Sequence, residues 1–193
     1  SLDGNFYAVD AQTGKEKWRV AAEMATQSSP TVVGGIVYLG GADGYLHALD
    51  VQTGKQIWKF KTGAEIIAAP AVADGTLYAG SMDGNLYALD PASGQVKWQH
   101  ETGIPIGSSP AVTGGVIYFA TVEGTLRALD LAAKAEKWQF PTGNTIISSP
   151  AVADGVVYVG SLDGRFYAVD AATGKEKWRF QTEGEVWSSP AVA

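Results

Sequence analysis

The chain has 193 residues, 46% of them hydrophobic, a formal net charge of −6 and no cysteine. This apolar content excludes a disordered chain, and the length allows a sizeable core. The acidic balance, without a basic run, argues against nucleic acid or an anionic membrane surface as partner, and the missing cysteines exclude disulfides, thiolate metal sites and cysteine nucleophiles.

In chain order, residues 1–20 read as two strands joined by the turn Asp10-Ala-Gln-Thr13-Gly14, the second strand carrying Trp18. The segment from Ala8 to Trp18 then recurs from Ala48 to Trp58, Ala88 to Trp98, Ala128 to Trp138 and Ala168 to Trp178, a step of forty residues each time. A constant period of this size means stacked supersecondary units. Complete units occupy 28–60, 68–100, 108–140 and 148–180; a fifth is split between 1–20 and 187–193 and lacks its second strand.

The unit from Ala68 shows the grammar. A short strand of small residues meets the hairpin signal Asp74-Gly75; a strand from Thr76 meets a second hairpin at Asp83-Gly84; a third strand ends at Asp90 in the turn Pro91-Ala-Ser-Gly94; the fourth carries Trp98. Short strands at this spacing with turn signals between them predict an all-β meander. The second and third strands, such as Val156-Val-Tyr-Val159 and Phe166-Tyr-Ala-Val169, are apolar throughout, so both sheet faces must be covered. A ring of blades does this, each blade packed by its neighbours. The predicted fold is therefore an all-β β-propeller of four-stranded antiparallel blades, five in number, the last split between the N- and C-termini.

Small residues at Ser28-Ser29, Ala68-Ala69, Ser108-Ser109, Ser148-Ser149 and Ser188-Ser189 place the first strand of each unit innermost, and the prolines that follow suit a strand's start. The fourth strand alternates, with lysines and glutamates that discourage edge-to-edge pairing. The aspartates at 10, 50, 90, 130 and 170 read as turn residues rather than metal ligands, because a turn needs the same residue in every unit and a catalytic site does not. His47 and His100 lack metal-ligand spacing. Glu23, Glu65, Glu183 and Glu185 fall in linkers and read as solvated charges. No nucleophile elbow, phosphate loop or dinucleotide fingerprint occurs. No apolar run approaches the ~18 residues of a membrane span, so no membrane insertion is expected.

The Ala-x-Asp-x-x-Thr-Gly-x-x-x-Trp pattern resembles the tryptophan-docking motif of the pyrroloquinoline-quinone (PQQ) repeat propellers, a family that includes quinoprotein alcohol dehydrogenases and the BamB lipoprotein of the outer-membrane assembly machinery. The resemblance covers the chain. It implies that Trp18, Trp58, Trp98, Trp138 and Trp178 dock on an adjacent blade, and that Gly14, Gly54, Gly94 and Gly174 receive them. The fourth motif departs: Lys134 stands where the glycine belongs, Glu123 replaces the hairpin aspartate and Arg127 replaces a tyrosine or histidine. Arg127 and Lys134 are the candidate partner surface there. Trp187, outside the docking series, is a candidate for stacking a ligand at the channel mouth.

Family propellers usually have more blades than this chain provides. Two arrangements fit: a closed five-bladed ring, or part of a longer propeller whose open edges take up further sequence or another chain. The monomeric ring is the favoured one, with a strand-sharing oligomer as the other outcome. The family's enzymes hold PQQ and calcium, but none of their catalytic residues has a matching motif here. The expected role is a non-catalytic protein-binding scaffold, without cofactor, in a periplasmic or otherwise extracytoplasmic setting implied by the resemblance. The alternatives are a PQQ-type ligand sensor or quinoprotein fragment, and an engineered or recently amplified array. The last is suggested because Ser161 to Lys177 repeats Ser1 to Lys17 with changes only at Arg165 and Ala172.

Overall fold

A computed structural model describes residues 4–21 and 28–192, and the regular elements among them are all strands. The first blade holds β1 (Asn5–Val9) and β2 (Glu16–Ala21). The second holds β3 (Thr31–Val33), β4 (Ile36–Gly40), β5 (Tyr45–Asp50) and β6 (Gln56–Lys61). The third holds β7 (Ala71–Ala73), β8 (Thr76–Gly80), β9 (Asn85–Leu89) and β10 (Val96–Glu101). The fourth holds β11 (Ala111–Thr113), β12 (Val116–Thr121), β13 (Thr125–Asp130) and β14 (Ala135–Pro141). The fifth holds β15 (Ala151–Ala153), β16 (Val156–Ser161), β17 (Arg165–Asp170) and β18 (Glu176–Gln181). Four blades are four-stranded antiparallel meanders and the first is an antiparallel pair among the described residues, so the fold is the all-β five-bladed propeller expected, with its split blade incomplete.

Local chemistry makes the meander. Asp74 and Gly75 both have positive φ, 49° and 67°, the left-handed pair whose twist matches the strands it joins. In each blade the third strand sets an alanine opposite the repeated tryptophan, as in Ala48 with Trp58 and Ala168 with Trp178, so the indole has room beside a methyl group. Here the register slips by a bulge, which adds twist to the outer edge.

No single core runs through the molecule. Each junction between blades has its own layer. Tyr38, Leu46 and Ala48 meet Leu77, Tyr87 and Leu89 between the second and third blades. Tyr78, Leu86 and Ala88 meet Ile117, Phe119 and Leu129 at the next junction. Tyr118, Leu126 and Ala128 meet Val157, Tyr167 and Val169 after it. Phe6, Trp18 and Val20 cover Val37, Leu39 and Leu49 at the first junction. Stability in such a stack is a sum over neighbours.

The paired small residues tie the blades around the axis. In the fourth and fifth blades the first serine bonds within its own blade: Ser108 Oγ accepts from Ala120 N–H at 2.7 Å and Ser148 Oγ from Gly160 N–H at 2.9 Å. The second serine reaches the preceding blade, where the backbone N–H of Ala69, Ser109 and Ser149 donates to Ser109, Ser149 and Ser189 Oγ at 2.9, 3.0 and 2.8 Å.

The split unit differs from expectation. β1 and β2 pair only with each other, and residues 187–192 form no strand. The C-terminal segment is held to the fifth blade through Ser189 instead. Pairing within a blade passes through the second strand, and no described segment supplies one for this unit, so β1 and the C-terminal segment share no ladder.

Candidate functional site

The repeated aspartates are spent on their own turns. Asp10 Oδ1 accepts from the Thr13 amide and hydroxyl, both at 2.9 Å, and from the Gln12 amide at 3.2 Å. Asp50, Asp90 and Asp170 do the same with Thr53, Ser93 and Thr173. The hydroxyl, then the amide, hold these four carboxyls below the ordinary value. At Asp130 no hydroxyl is available, and the Ala133 amide does this chiefly.

Three tryptophans dock as a set. A Cβ added to Gly54, Gly94 or Gly174 would lie 2.6, 2.7 and 2.7 Å from the rings of Trp18, Trp58 and Trp138. The three indole N–H groups donate to the carbonyls of Val51, Pro91 and Ala171, each at 3.0 Å. Tyr38 and Tyr118 add a second donor to the Pro91 and Ala171 oxygens, at 3.0 and 3.2 Å. Both lone pairs of each of these carbonyls are thereby used.

Two docking positions behave differently. Trp98 joins the apolar layer that includes Leu131, but its indole N–H makes no counterpart of these bonds to a described residue. The turn it faces holds Lys134 at φ 53°, where the other turns have glycine. Trp178 is 47% exposed, and nothing lies within 4 Å of a Cβ built on Gly14. The expected contact of Trp178 with Gly14 is therefore not made among the described residues, and the blades form an open arc.

The fourth blade lacks a bridge that its neighbours share. In the third blade Asp83 Oδ2 accepts from Gly63 N–H of the preceding linker at 2.7 Å and from Tyr87 hydroxyl at 2.8 Å. Asp163 repeats this with Gly143 and Tyr167, at 2.8 and 2.6 Å. Burial pushes both carboxyls up, but the tyrosine and amide donors together outweigh it and hold them below the usual range. Burial, and then the bond to the carboxylate, raise the Tyr87 and Tyr167 hydroxyls.

Arg127 takes the tyrosine seat in the fourth blade. It was expected on a partner surface, but it is only 8% exposed, with Nη1 2.6 Å from Glu136 Oε1 and a buried Nε that finds no partner among the described residues. The preceding blade supplies an aromatic to this seat elsewhere: Phe60 meets Tyr87 at 5.2 Å and Phe140 meets Tyr167 at 5.4 Å between ring centroids. The residue forty from each phenylalanine is His100. His100 thus stands at the repeat position of those phenylalanines, and Arg127 at that of the tyrosines. The forty-residue offset was the available signal for His100, and reading the repeat across units rather than along strands would have found it.

The three candidate partner residues lie in three places. Lys134 is exposed in the turn between β13 and β14, Arg127 is buried, and Trp187 is 60% exposed with its indole donating to Glu185 Oε2 at 2.9 Å. Trp187 stands at the repeat position of Ile67, Gly107 and Ile147, and these three converge: a Cβ on Gly107 would lie 3.8 and 3.9 Å from Ile67 and Ile147. Clefts occur at the junctions instead, one of about 520 Å³ against Tyr118, Lys137, Asp154 and Lys177 and one of about 320 Å³ against Val20, Asp43, His47 and Lys59. Glu23 lies outside the described residues. No group of three or more histidine or acidic side chains that could hold a metal occurs among the described residues, and the repeated carboxylates are already engaged in turns.

A family model described as the beta-propeller of the beta-alanine-activating enzyme matches residues 1–193. A search of curated proteins found no match. Among solved structures, the chain is similar to BamB from Moraxella catarrhalis (24% identity, TM-score 0.81), with 92% of this chain covering 55% of that one. It is similar to the quinohemoprotein alcohol dehydrogenase ADHIIG from Pseudomonas putida HK5 (22% identity, TM-score 0.74), 86% of this chain covering 35% of that one. It is also similar to the computationally designed Ika8 protein (19% identity, TM-score 0.83), 97% covering 59%. The chain thus spans between about a third and three-fifths of the structures it matches. At these identities the likeness concerns the fold.

Proposed function

The chain belongs to the β-propeller family of the beta-alanine-activating enzyme, and from that premise we propose that it is a non-catalytic module that binds a protein partner, a scaffold of the BamB-like kind that works without a cofactor. The observation that carries this reading is Trp187. The frame around the axis is tied by serine-to-backbone bonds, and at its end one indole stands 60% exposed beside Glu185. Tryptophan, with tyrosine and arginine, is enriched among the residues that dominate protein interfaces. The repeated polar groups serve turns and junctions, which leaves them for the fold rather than for chemistry.

A second reading, a sensor for a flat PQQ-type ligand stacked on Trp187, is favoured by the likeness to the quinohemoprotein dehydrogenase. The two separate by thermal shift with PQQ and calcium, alone and together. A ligand that binds the native state stabilises it by mass action, by about 2.7 kcal/mol at a hundred times Kd, and so raises the melting temperature. A joint rise that is lost in Trp187→Ala establishes the sensor. No rise, with a cross-linked partner lost in Trp187→Ala and Trp187→Glu but kept in Lys55→Ala, establishes the binding module. A chain that binds neither supports an array of the Ika8 type.

A further inference from the structure

The open arc exposes the two halves of one junction. On the fifth blade, Trp178 is 47% and Phe180 64% exposed, although Trp58, Trp138, Phe60 and Phe140 are packed into their layers. On the first blade, Tyr7 is 36% and Val9 58% exposed, whereas their counterparts Tyr87 and Leu89 are buried against the second blade. Among the described residues nothing lies within 4 Å of a Cβ built on Gly14. We propose that these faces join between copies of this chain, Trp178 of one copy seated on the Gly14 turn of the next.

The complementarity is already written in the molecule. Gly174 accepts Trp138, and the segment around it from Ser161 to Lys177 differs from Ser1 to Lys17 at only Arg165 and Ala172. The first blade therefore offers the same turn, with Gly14 at φ 67° against 72° at Gly174. Phe180 would meet the second copy's Tyr7 as Phe60 meets Tyr87, edge to face. Val9 would enter the layer as Leu89 does. Burial of one tryptophan covers about 150–250 Å² of apolar surface. The contact is heterologous, since the two faces differ. A pair of copies still offers one Trp178 face and one Gly14 turn, and so closes into a ring or continues, depending on the rotation per copy.

The test uses the whole chain and two variants. Trp178→Ala removes the donor face and Val9→Arg places an unpaired charge on the acceptor face; both side chains are exposed in the isolated chain, so neither change touches a buried layer. Mass is read by light scattering over a hundredfold range of concentration. The chain should grow beyond 20.2 kDa as concentration rises, and each variant alone should stay at one copy. Mixed, they should form a single 1:1 pair that does not grow further, since only one productive pairing remains. A chain that stays monomeric throughout, or variants that fail to pair on mixing, overturns the proposal. So does growth that survives both substitutions.

Discussion

Alanine at Gly94 and at Gly14 makes the same change in the same backbone and should have different costs. Both residues have positive φ, 71° and 67°, so both substitutions carry the left-handed strain of an L side chain, about 1–2 kcal/mol. Both also stiffen the unfolded chain equally, a gain that cancels between them. Only at Gly94 does the new methyl meet a ring, 2.7 Å from Cδ2 and Cε3 of Trp58. The indole must retreat, at about 1–3 kcal/mol for overpacking, and its bond to the Pro91 carbonyl is worth a further ~0.5–1.5 kcal/mol. Gly94→Ala should therefore lose about 1.5–4.5 kcal/mol more than Gly14→Ala, and each kcal/mol corresponds to about 2–4 °C of Tm in a chain of this size. Thermal unfolding followed by circular dichroism, at a concentration where light scattering reads a single copy, makes the comparison. Gly54→Ala and Gly174→Ala should follow Gly94. Equal losses at all four glycines would refute the docking argument.

Lys134→Gly should stabilise the chain by about 0.5–1 kcal/mol, since it removes strain at φ 53° and frees the turn to take the Trp98 indole; a denaturant midpoint reads it. Arg127→Ala strips the partner from Glu136, whose side chain is 26% exposed, and should cost about 1–3 kcal/mol, less than the loss for a fully buried pair. Arg127→Tyr combined with Glu123→Asp rebuilds the bridge seen at Asp83 and Tyr87 and should recover that loss, as a double-mutant cycle would show. Asp83 and Asp163 have folded values below the ordinary carboxyl value, so their stabilisation is complete above about pH 4 and is lost as pH falls through the folded values. Asp83→Asn and Asp163→Asn should flatten the acid side of the stability curve. An unchanged slope below pH 4 in the double variant would count against these bridges.

Fold class was legible because a forty-residue period, Asp-Gly hairpins and apolar strands are local signals that repeat in register, and five copies leave little room for another topology. The turn role of Asp10, Asp50, Asp90, Asp130 and Asp170 was legible for the same reason: each carboxylate finds its donors within three residues. Arg127 could not be placed this way. Its identity suggested a surface charge, but whether a third-strand side chain meets solvent depends on how the preceding blade packs over it and on its partner across the ladder, and the structure buries it with Glu136 of the neighbouring strand. Closure was likewise beyond the sequence. Each junction is a pairwise contact that the repeat encodes, but whether the last meets the first depends on the rotation accumulated over all the blades, and no single repeat contains that sum. The sequence by itself determined what each blade is and what each face would accept. Only the tertiary structure decided that Trp178 and Gly14, made to fit by that repeat, stand apart within one chain.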